Sequence, residues 1–413
     1  MAERSYVKTN VPFNAKAQRS LHVRFDLPLL LTVITLTLFG LLMVYSASWK
    51  FSMDLGEAPT YMLVRQIAWV LLGGSAAVVL SFINYHRFQR LLLPMMAVTA
   101  VLLLAVLFIR DTRLGADRSI LGGSIRPSEL AKFAVIVYLS FWLFSKRELI
   151  NSFTFGLIPM MLILGITAGL VLGQPDISAA LSIIALGGIL YFLAGGELRT
   201  IVPVLAVVVA MGVIVVLVFP TGRARLIDYW AGLQDPTSAS YHVQRSLEAV
   251  VNGGFFGVGI GRASSKFTGL PVAPTDSIFA IIAEETGLIG ATAVIGLFIL
   301  FLYRGMRVAQ HAPDLLGRLL AAGLTLWIFL EAVINMGVMV ALLPFAGNAL
   351  PFISAGGSSI TIMLASVGII MNIARVSNSG APASGRTNSA VVDLRGRNGR
   401  RSVSSPVRPS GDR

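Results

Sequence analysis

The chain reads as a succession of apolar runs, each long enough for a helix to cross the roughly 30 Å of membrane hydrocarbon at about 20 residues per span. They fall approximately at 27–45, 62–82, 91–109, 128–145, 154–173, 177–195, 200–219, 277–303, 317–342 and 357–374. A spanning segment must satisfy its own backbone hydrogen bonds, which leaves helices or a closed barrel, and the pattern lacks the alternating strands of about ten residues that a barrel needs. The expected fold is an all-α integral membrane protein of about ten transmembrane helices, with one long extracellular loop, 220–276, between helices seven and eight. Within that loop Val243, Leu247, Val250 and Val251 recur at helical spacing, which predicts a short amphipathic helix over 241–252 lying on the membrane. Tyr229 and Trp230 are expected to sit at the lipid–water interface.

Composition agrees with the pattern. Of 413 residues 55% are hydrophobic and 13% charged, which excludes an ordinary water-soluble protein. With no cysteine, disulfides, thiol chemistry and Cys-based metal sites are excluded. The first 26 residues are polar, so the first apolar run is read as a retained anchor behind an N-terminal tail, 1–26. The membrane domain is expected over 27–375, followed by a disordered basic tail, 376–413. The tail lacks aromatic interleaving, so it suits anionic lipid headgroups and not nucleic acid.

Ten spans place both termini on one side, and the Lys/Arg bias puts that side in the cytoplasm, with 21 of the 33 cations there. Ten of the other twelve fall in two outer segments, 110–132 and 220–276. Such a violation of the bias suggests cations kept outside for function.

Ionisable residues at membrane depth are costly there and face a cavity or a partner. Glu129 and Lys132, three residues apart after Pro127, share a helix face and can pair. Glu284 and Glu285 point about 100° apart, so at most one is expected to face the same cavity as Asp276. Glu331 and Asn335 make a polar seam that interhelical hydrogen bonding explains adequately. The stretch 241–290 concentrates the chemistry. Its loop carries Arg245, Arg262 and Lys266 among Gly253, Gly254, Gly257, Gly259 and Gly261, and Asp276 stands where water gives way to lipid. Backbone and cations there suit phosphate oxygens, and the carboxylate suits a proton. GVGIG alone is a weak phosphate-loop match, with no strand before it.

In order along the chain stand VYSAS (44–48), RQ (65–66), PSELAK (127–132), QPD (174–176), SLEAVVNGGFFGVGIG (246–261), TDSIFAIIAEETGLIG (275–290) and LPFISAGGSS (350–359). In these motifs the chain resembles the SEDS family of peptidoglycan polymerases, and its VYSAS, APDLLGRLLAAG and LPFIS wording is most similar to the FtsW branch of FtsW, RodA and SpoVE. The resemblance implies a ten-helix glycosyltransferase of the bacterial cytoplasmic membrane that polymerises lipid II at the outer face, in cell division at the septum. It also implies work beside a class B penicillin-binding protein and other divisome proteins. By the same resemblance Asp276 is the catalytic residue and Glu129 and Lys132 are the matching motif charges; the nearby cations Arg126, Arg245, Arg262 and Lys266, with Arg65, Gln244 and Ser358, complete the substrate-binding candidates. The chain departs from the family pattern at Ser119, Arg126, Arg245, Val272, Pro274, Ser277 and Ala355.

The reaction so implied is an inverting glycosyl transfer. A sugar 4-hydroxyl attacks an anomeric carbon whose leaving group, a lipid pyrophosphate, needs charge neutralisation more than protonation. No motif demands a cofactor or fixes a metal site; a divalent cation, Mg or Mn, bridging phosphate to carboxylate is compatible with the chemistry. Two other readings stay open from the residues: a lipid II flippase that uses the intramembrane charges as a path, and a non-catalytic divisome scaffold.

Overall fold

The computed structural model describes residues 25–108, 126–197 and 216–379, with isolated positions between 198 and 215. Residues 1–24 and 380–413, the outer cations Arg110, Arg113 and Arg118, Ser119, and just over half of the seventh apolar run lie outside the described residues. Those described are helical, without strands. The helices are α1 (Leu27–Asp54), α2 (Tyr61–Phe82), α3 (Leu92–Phe108, entered through a 3-10 turn at Tyr85–Leu91), α4 (Pro127–Ser145), α5 (Ile158–Leu172) and α6 (Ile177–Leu193). Then come α7 (Pro220–Gln234), α8 (Tyr241–Gly253), α9 (Ile278–Gln310), α10 (Leu315–Met339) and α11 (Gly357–Ser379).

Among the described residues eight helices are long and apolar enough to cross a membrane: α1, α2, α3 with its 3-10 entry, α4, α5 with the turn before it, and α9 to α11. The shorter apolar α6 matches the sixth run. α11 runs to Ser379, past the 375 boundary expected for the membrane domain. α2 and α11 pack face to face because glycine lets their backbones approach; a Cβ on Gly368 would lie 2.4 Å from the Ala77 carbonyl oxygen. At one end of the bundle Asp26 caps α1, accepting from the Leu29 N–H at 3.0 Å, and its carboxylate takes the Arg304 guanidinium from α9 at 2.7 Å.

The 220–276 segment is more regular than the sequence pattern predicts, holding α7, a 3-10 turn at Pro236–Ser238 and α8. α8 has the predicted bounds within a residue, and the face it packs on the protein is made mostly of small residues. Its buried face is Val243, Ser246, Ala249 and Gly253, packed on α9, while Val251 is 77% exposed. Small residues win that face because a Cβ on Gly253 would sit 2.0 Å from the Ala283 carbonyl oxygen. Tyr229 donates its hydroxyl to the Leu342 carbonyl at 3.0 Å, so it braces a turn and is not simply an interfacial aromatic; Trp230 is exposed.

α9 is broken at Gly287, whose φ of 68° and ψ of −169° interrupt the helical ladder. The glycine loop repairs the break. Val258 and Gly259 donate their N–H groups to the carbonyls of Glu284 and Glu285 at 3.0 Å each, and Leu288 N–H returns to the Gly254 carbonyl at 2.9 Å. A broken spanning helix is tolerable where neighbouring backbone satisfies the freed groups. The requirement for glycine is steric at Gly257, with φ +80° and a Cβ that would lie 2.3 Å from the Glu285 carbonyl oxygen.

Candidate functional site

The first turns of α4, α6, α9 and α11 belong to one hydrogen-bonded and ionic cluster. Pro127 opens α4 because its missing N–H has no intrahelical partner to lose. Arg126, just before it, donates its backbone N–H to the Ser358 hydroxyl of α11 at 2.9 Å. One turn into α4, the buried Lys132 ammonium lies 2.7 Å from Glu129 and 2.5 Å from Glu331 of α10. The expected Glu129–Lys132 pair is therefore present, and Glu331 joins it. Removing one member would strand buried charge, a loss of about 3 to 5 kcal/mol in comparable buried pairs.

Asp276 stands at the mouth of this cluster with its side chain 13% exposed, and Arg126 Nη2 is 3.7 Å from its Oδ1. Burial alone would lower the Arg126 value, but the carboxylates of Asp276, Glu129 and Asp176 outweigh it and hold the guanidinium above its ordinary range. The backbone of Asp276 is held independently. Asn335 donates to its carbonyl at 2.8 Å and to the Asn348 carbonyl at 2.6 Å; Asn348 in turn donates to Glu331 Oε2 at 2.7 Å and accepts from Ser178 at 2.7 Å. Glu331 and Asn335, expected to be a plain interhelical seam, are thus the support of the carboxylate.

Several motifs find their reason here. Gln66 donates to the Ser354 carbonyl at 3.1 Å and accepts from the Gly356 N–H at 3.2 Å. Ser354 donates its hydroxyl to the Thr275 carbonyl at 2.6 Å, and Ala355 N–H bonds the Pro274 carbonyl at 2.9 Å. The RQ and LPFIS motifs are therefore a relay of hydrogen bonds that sets the turn carrying Asp276, with Arg65 half-buried beside Gln66.

The remaining candidates sit elsewhere. The buried Lys266 lies 3.1 Å from Glu285, which also accepts from Ser46 of the VYSAS motif at 2.6 Å. Glu284 accepts from Ser264 N–H at 2.9 Å and from the Ser265 hydroxyl. The two glutamates, expected to diverge, both anchor the 263–266 turn. Arg245 is on the loop surface, paired with Glu248 at 2.6 Å. Arg262 is exposed on the glycine loop, and Gln244 donates to the Thr237 and Ala239 carbonyls at 2.6 Å, closing the turn before α8.

His242 escaped sequence reasoning because a lone histidine on an amphipathic helix carries no spacing signal. Its Nε2 lies 2.9 Å from the hydroxyl of Ser277, which donates to the Pro271 carbonyl, and its ring stacks on Phe345 at 4.4 Å. Burial lowers its value below the ordinary 6.5, only partly opposed by Asp276. Asn348 and Ser178 likewise lack any local signature. Among the described residues no three His, Asp or Glu side chains converge as a metal ligand set.

The family model described as "Cell cycle protein", covering FtsW, RodA and SpoVE, matches residues 27–379. The chain is 40% identical to the probable peptidoglycan glycosyltransferase FtsW of Trichlorobacter lovleyi, over 84% of this chain and 93% of that one. It is 35% identical to the stage V sporulation protein E of Bacillus subtilis, over 84% and 97%. Among solved structures, a chain of a peptidoglycan synthase complex, described as coordinating polymerization and crosslinking, superposes with a TM-score of 0.68 at 25% identity, over 86% of this chain and 98% of that one. The rod shape determining protein RodA of Thermus thermophilus gives 0.62 at 26%, over 85% and 97%. Matched along its membrane domain by sequence and by fold, the chain belongs to the FtsW, RodA and SpoVE family of cell cycle proteins.

Proposed function

We propose that the chain is a peptidoglycan glycosyltransferase that polymerises lipid II into glycan strands, with inversion at the anomeric carbon, during cell division. The observation that carries this reading is the Asp276 carboxylate, partly open, beside Arg126 and at the meeting point of four helix N-termini. Aligned backbone dipoles and orphan N–H groups make such a place favourable for an anion, here the lipid pyrophosphate. Asp276 accepts the proton of the attacking 4-hydroxyl. Arg126 supplies charge and a planar fork to the departing pyrophosphate. When phosphate draws Arg126 away from Asp276, the carboxylate loses its counter-cation and becomes the stronger base. Lys132, enclosed by Glu129 and Glu331, acts as a positioning residue and holds the Asn348–Asn335 relay in register with Asp276. Among the described residues no three His, Asp or Glu side chains converge, and no step is assigned to a metal.

We place the chemistry at the outer face of the cytoplasmic membrane at the septum, with both termini cytoplasmic, in accord with the Lys/Arg bias. The larger described cavity, about 490 Å³ between α8, α9 and α10, is lined without any ionisable side chain. Bounded by Ala291 and Ile295 of α9 and Val333 and Gly337 of α10, it suits a membrane-crossing helix of a class B penicillin-binding protein. The test of the enzymatic reading uses purified Asp276→Asn with that partner and lipid II in detergent, where there are no sides to flip between. Strand polymerisation is expected to vanish while the protein still folds; an undiminished product ladder would overturn the reading.

A further inference from the structure

A serine that opens a helix ordinarily spends its hydroxyl on the N–H groups of the first turn. Ser277 does not. It stands at the N-cap of α9, yet its side chain caps no helical N–H; the hydroxyl donates to the Pro271 carbonyl at 2.9 Å and lies 2.9 Å from His242 Nε2. We infer that His242 is a positioning residue for Asp276: through Ser277 it clasps the 271–277 turn and fixes the direction in which the neighbouring carboxylate points. This rests on the glycosyl-transfer reading above and adds to it the support on the side of α8.

The turn is one that needs a clasp. Val272 has a φ of 48°, a left-handed conformation that a β-branched residue keeps only where its surroundings impose it. From the bundle side, Asn335 holds the Asp276 carbonyl at 2.8 Å and Ser354 holds the Thr275 carbonyl at 2.6 Å. Both bonds fall late in the turn. Its early end, where Pro271 precedes the strained Val272, is tied back to Ser277 by the hydroxyl, and His242 stands behind that hydroxyl.

A hydroxyl has one proton to give. With that proton on the Pro271 carbonyl, the bond to His242 needs the ring as donor, which selects the Nε2–H tautomer of the neutral imidazole. The ring is held by layering. It stacks on Phe345 with centroids 4.4 Å apart, and the Arg225 guanidinium of α7 lies 5.4 Å from the same phenyl centroid. Two residues beyond Phe345 is Gly347, at φ +67°, where a Cβ would lie 3.5 Å from Asp276 Oδ2. The imidazole is thus coupled to Asp276 twice, through Ser277 and through the 345–347 segment. Neither route puts it on a reacting atom, so its effect is on the orientation of the base. A reacting group displaced by about 1 Å loses up to about 100-fold in rate, and the clasp is therefore read in kcat.

The experiment uses the full-length chain with its crosslinking partner and lipid II in detergent. His242→Phe keeps a ring for the stack and removes the N–H, Ser277→Ala removes the acceptor of that N–H, and His242→Gln restores a donor. His242→Phe and Ser277→Ala are each expected to lower kcat about tenfold with the lipid II KM within about twofold, and His242→Gln to stay within about threefold of the starting kcat. Because both losses come from one bond, the double variant should lose no more than either single one. An unchanged kcat in both single variants, losses that multiply in the double, or a raised KM at constant kcat overturns the assignment.

Ala273→Cys, at a 7% exposed position of the same turn in a chain without other cysteines, gives a readout independent of turnover. Its maleimide labelling is expected to be about tenfold faster once His242→Phe is added, as the turn opens more often; equal rates refute the clasp. Should His242→Phe misfold, Ser277→Ala takes its place in the labelling. A wild-type protein that couples nothing removes the polymerase reading, while the labelling still reports whether His242 holds the turn.

Discussion

Lys132 and Glu331 meet at 2.5 Å across 199 residues of sequence, and the other oxygen of Glu331 accepts from Asn348, whose carbonyl accepts from Asn335. The buried pair thereby reaches Asp276 through Asn335, which bonds both the Asn348 and Asp276 carbonyls. Lys132→Met should cost about 3 to 5 kcal/mol, because two carboxylates remain buried without their cation. Adding Glu331→Gln should recover part of that loss. Thermal unfolding in detergent measures both, and additive losses in the double variant would contradict the coupling.

Arg126 differs from Lys132 in being open to solvent, with its side chain 30% exposed. Arg126→Ala should therefore leave the melting temperature nearly unchanged and lower kcat/KM by about 100-fold, the scale of losing one charge-stabilising donor. Arg126→Lys should recover little, since an ammonium lacks the planar fork. A large stability loss with normal turnover would contradict the assignment to the pyrophosphate.

Gly257→Ala is expected to destabilise by more than about 2 kcal/mol, from the left-handed backbone and the collision with the Glu285 carbonyl. Gly74→Ala, in the helical α2 with open space around it, should be neutral or stabilising by roughly 0.5 to 1 kcal/mol. Comparing the two melting temperatures isolates the steric role of the glycine loop.

The sign of the His242 effect follows from its folded-state value lying below 6.5. The unfolded chain binds the extra proton first, so stability attached to His242 is intact above 6.5 and declines as pH falls toward the depressed folded-state value. His242→Gln should remove that component, flattening the melting temperature between neutral and mildly acid pH. An unchanged slope in the variant would show that other groups govern it.

Gly337→Phe should fill the apolar groove between α9 and α10 and weaken co-purification of the crosslinking partner, with the Lys132 cluster untouched. Retained co-purification would move the partner to another face.

The Glu129–Lys132 pair was legible from spacing, and so was the helix over 241–252. The Gly287 break was not, because TDSIFAIIAEETGLIG has the hydropathy of an uninterrupted span and its repair comes from residues about thirty positions upstream. Lys266 looked like a phosphate ligand for the same reason: a cation in a glycine loop reads as available until Glu285 and Ser46 are found around it.

The sequence by itself determined the membrane solvent, the succession of helices and the residue types that bear charge, because hydropathy and helix-opening prolines act over a few neighbouring residues. Tertiary structure alone decided which charges meet. Ion pairs select partners by distance in space, so Glu331 went to Lys132, Arg126 to Asp276 and Lys266 to Glu285, and only the first two bear on the proposed reaction.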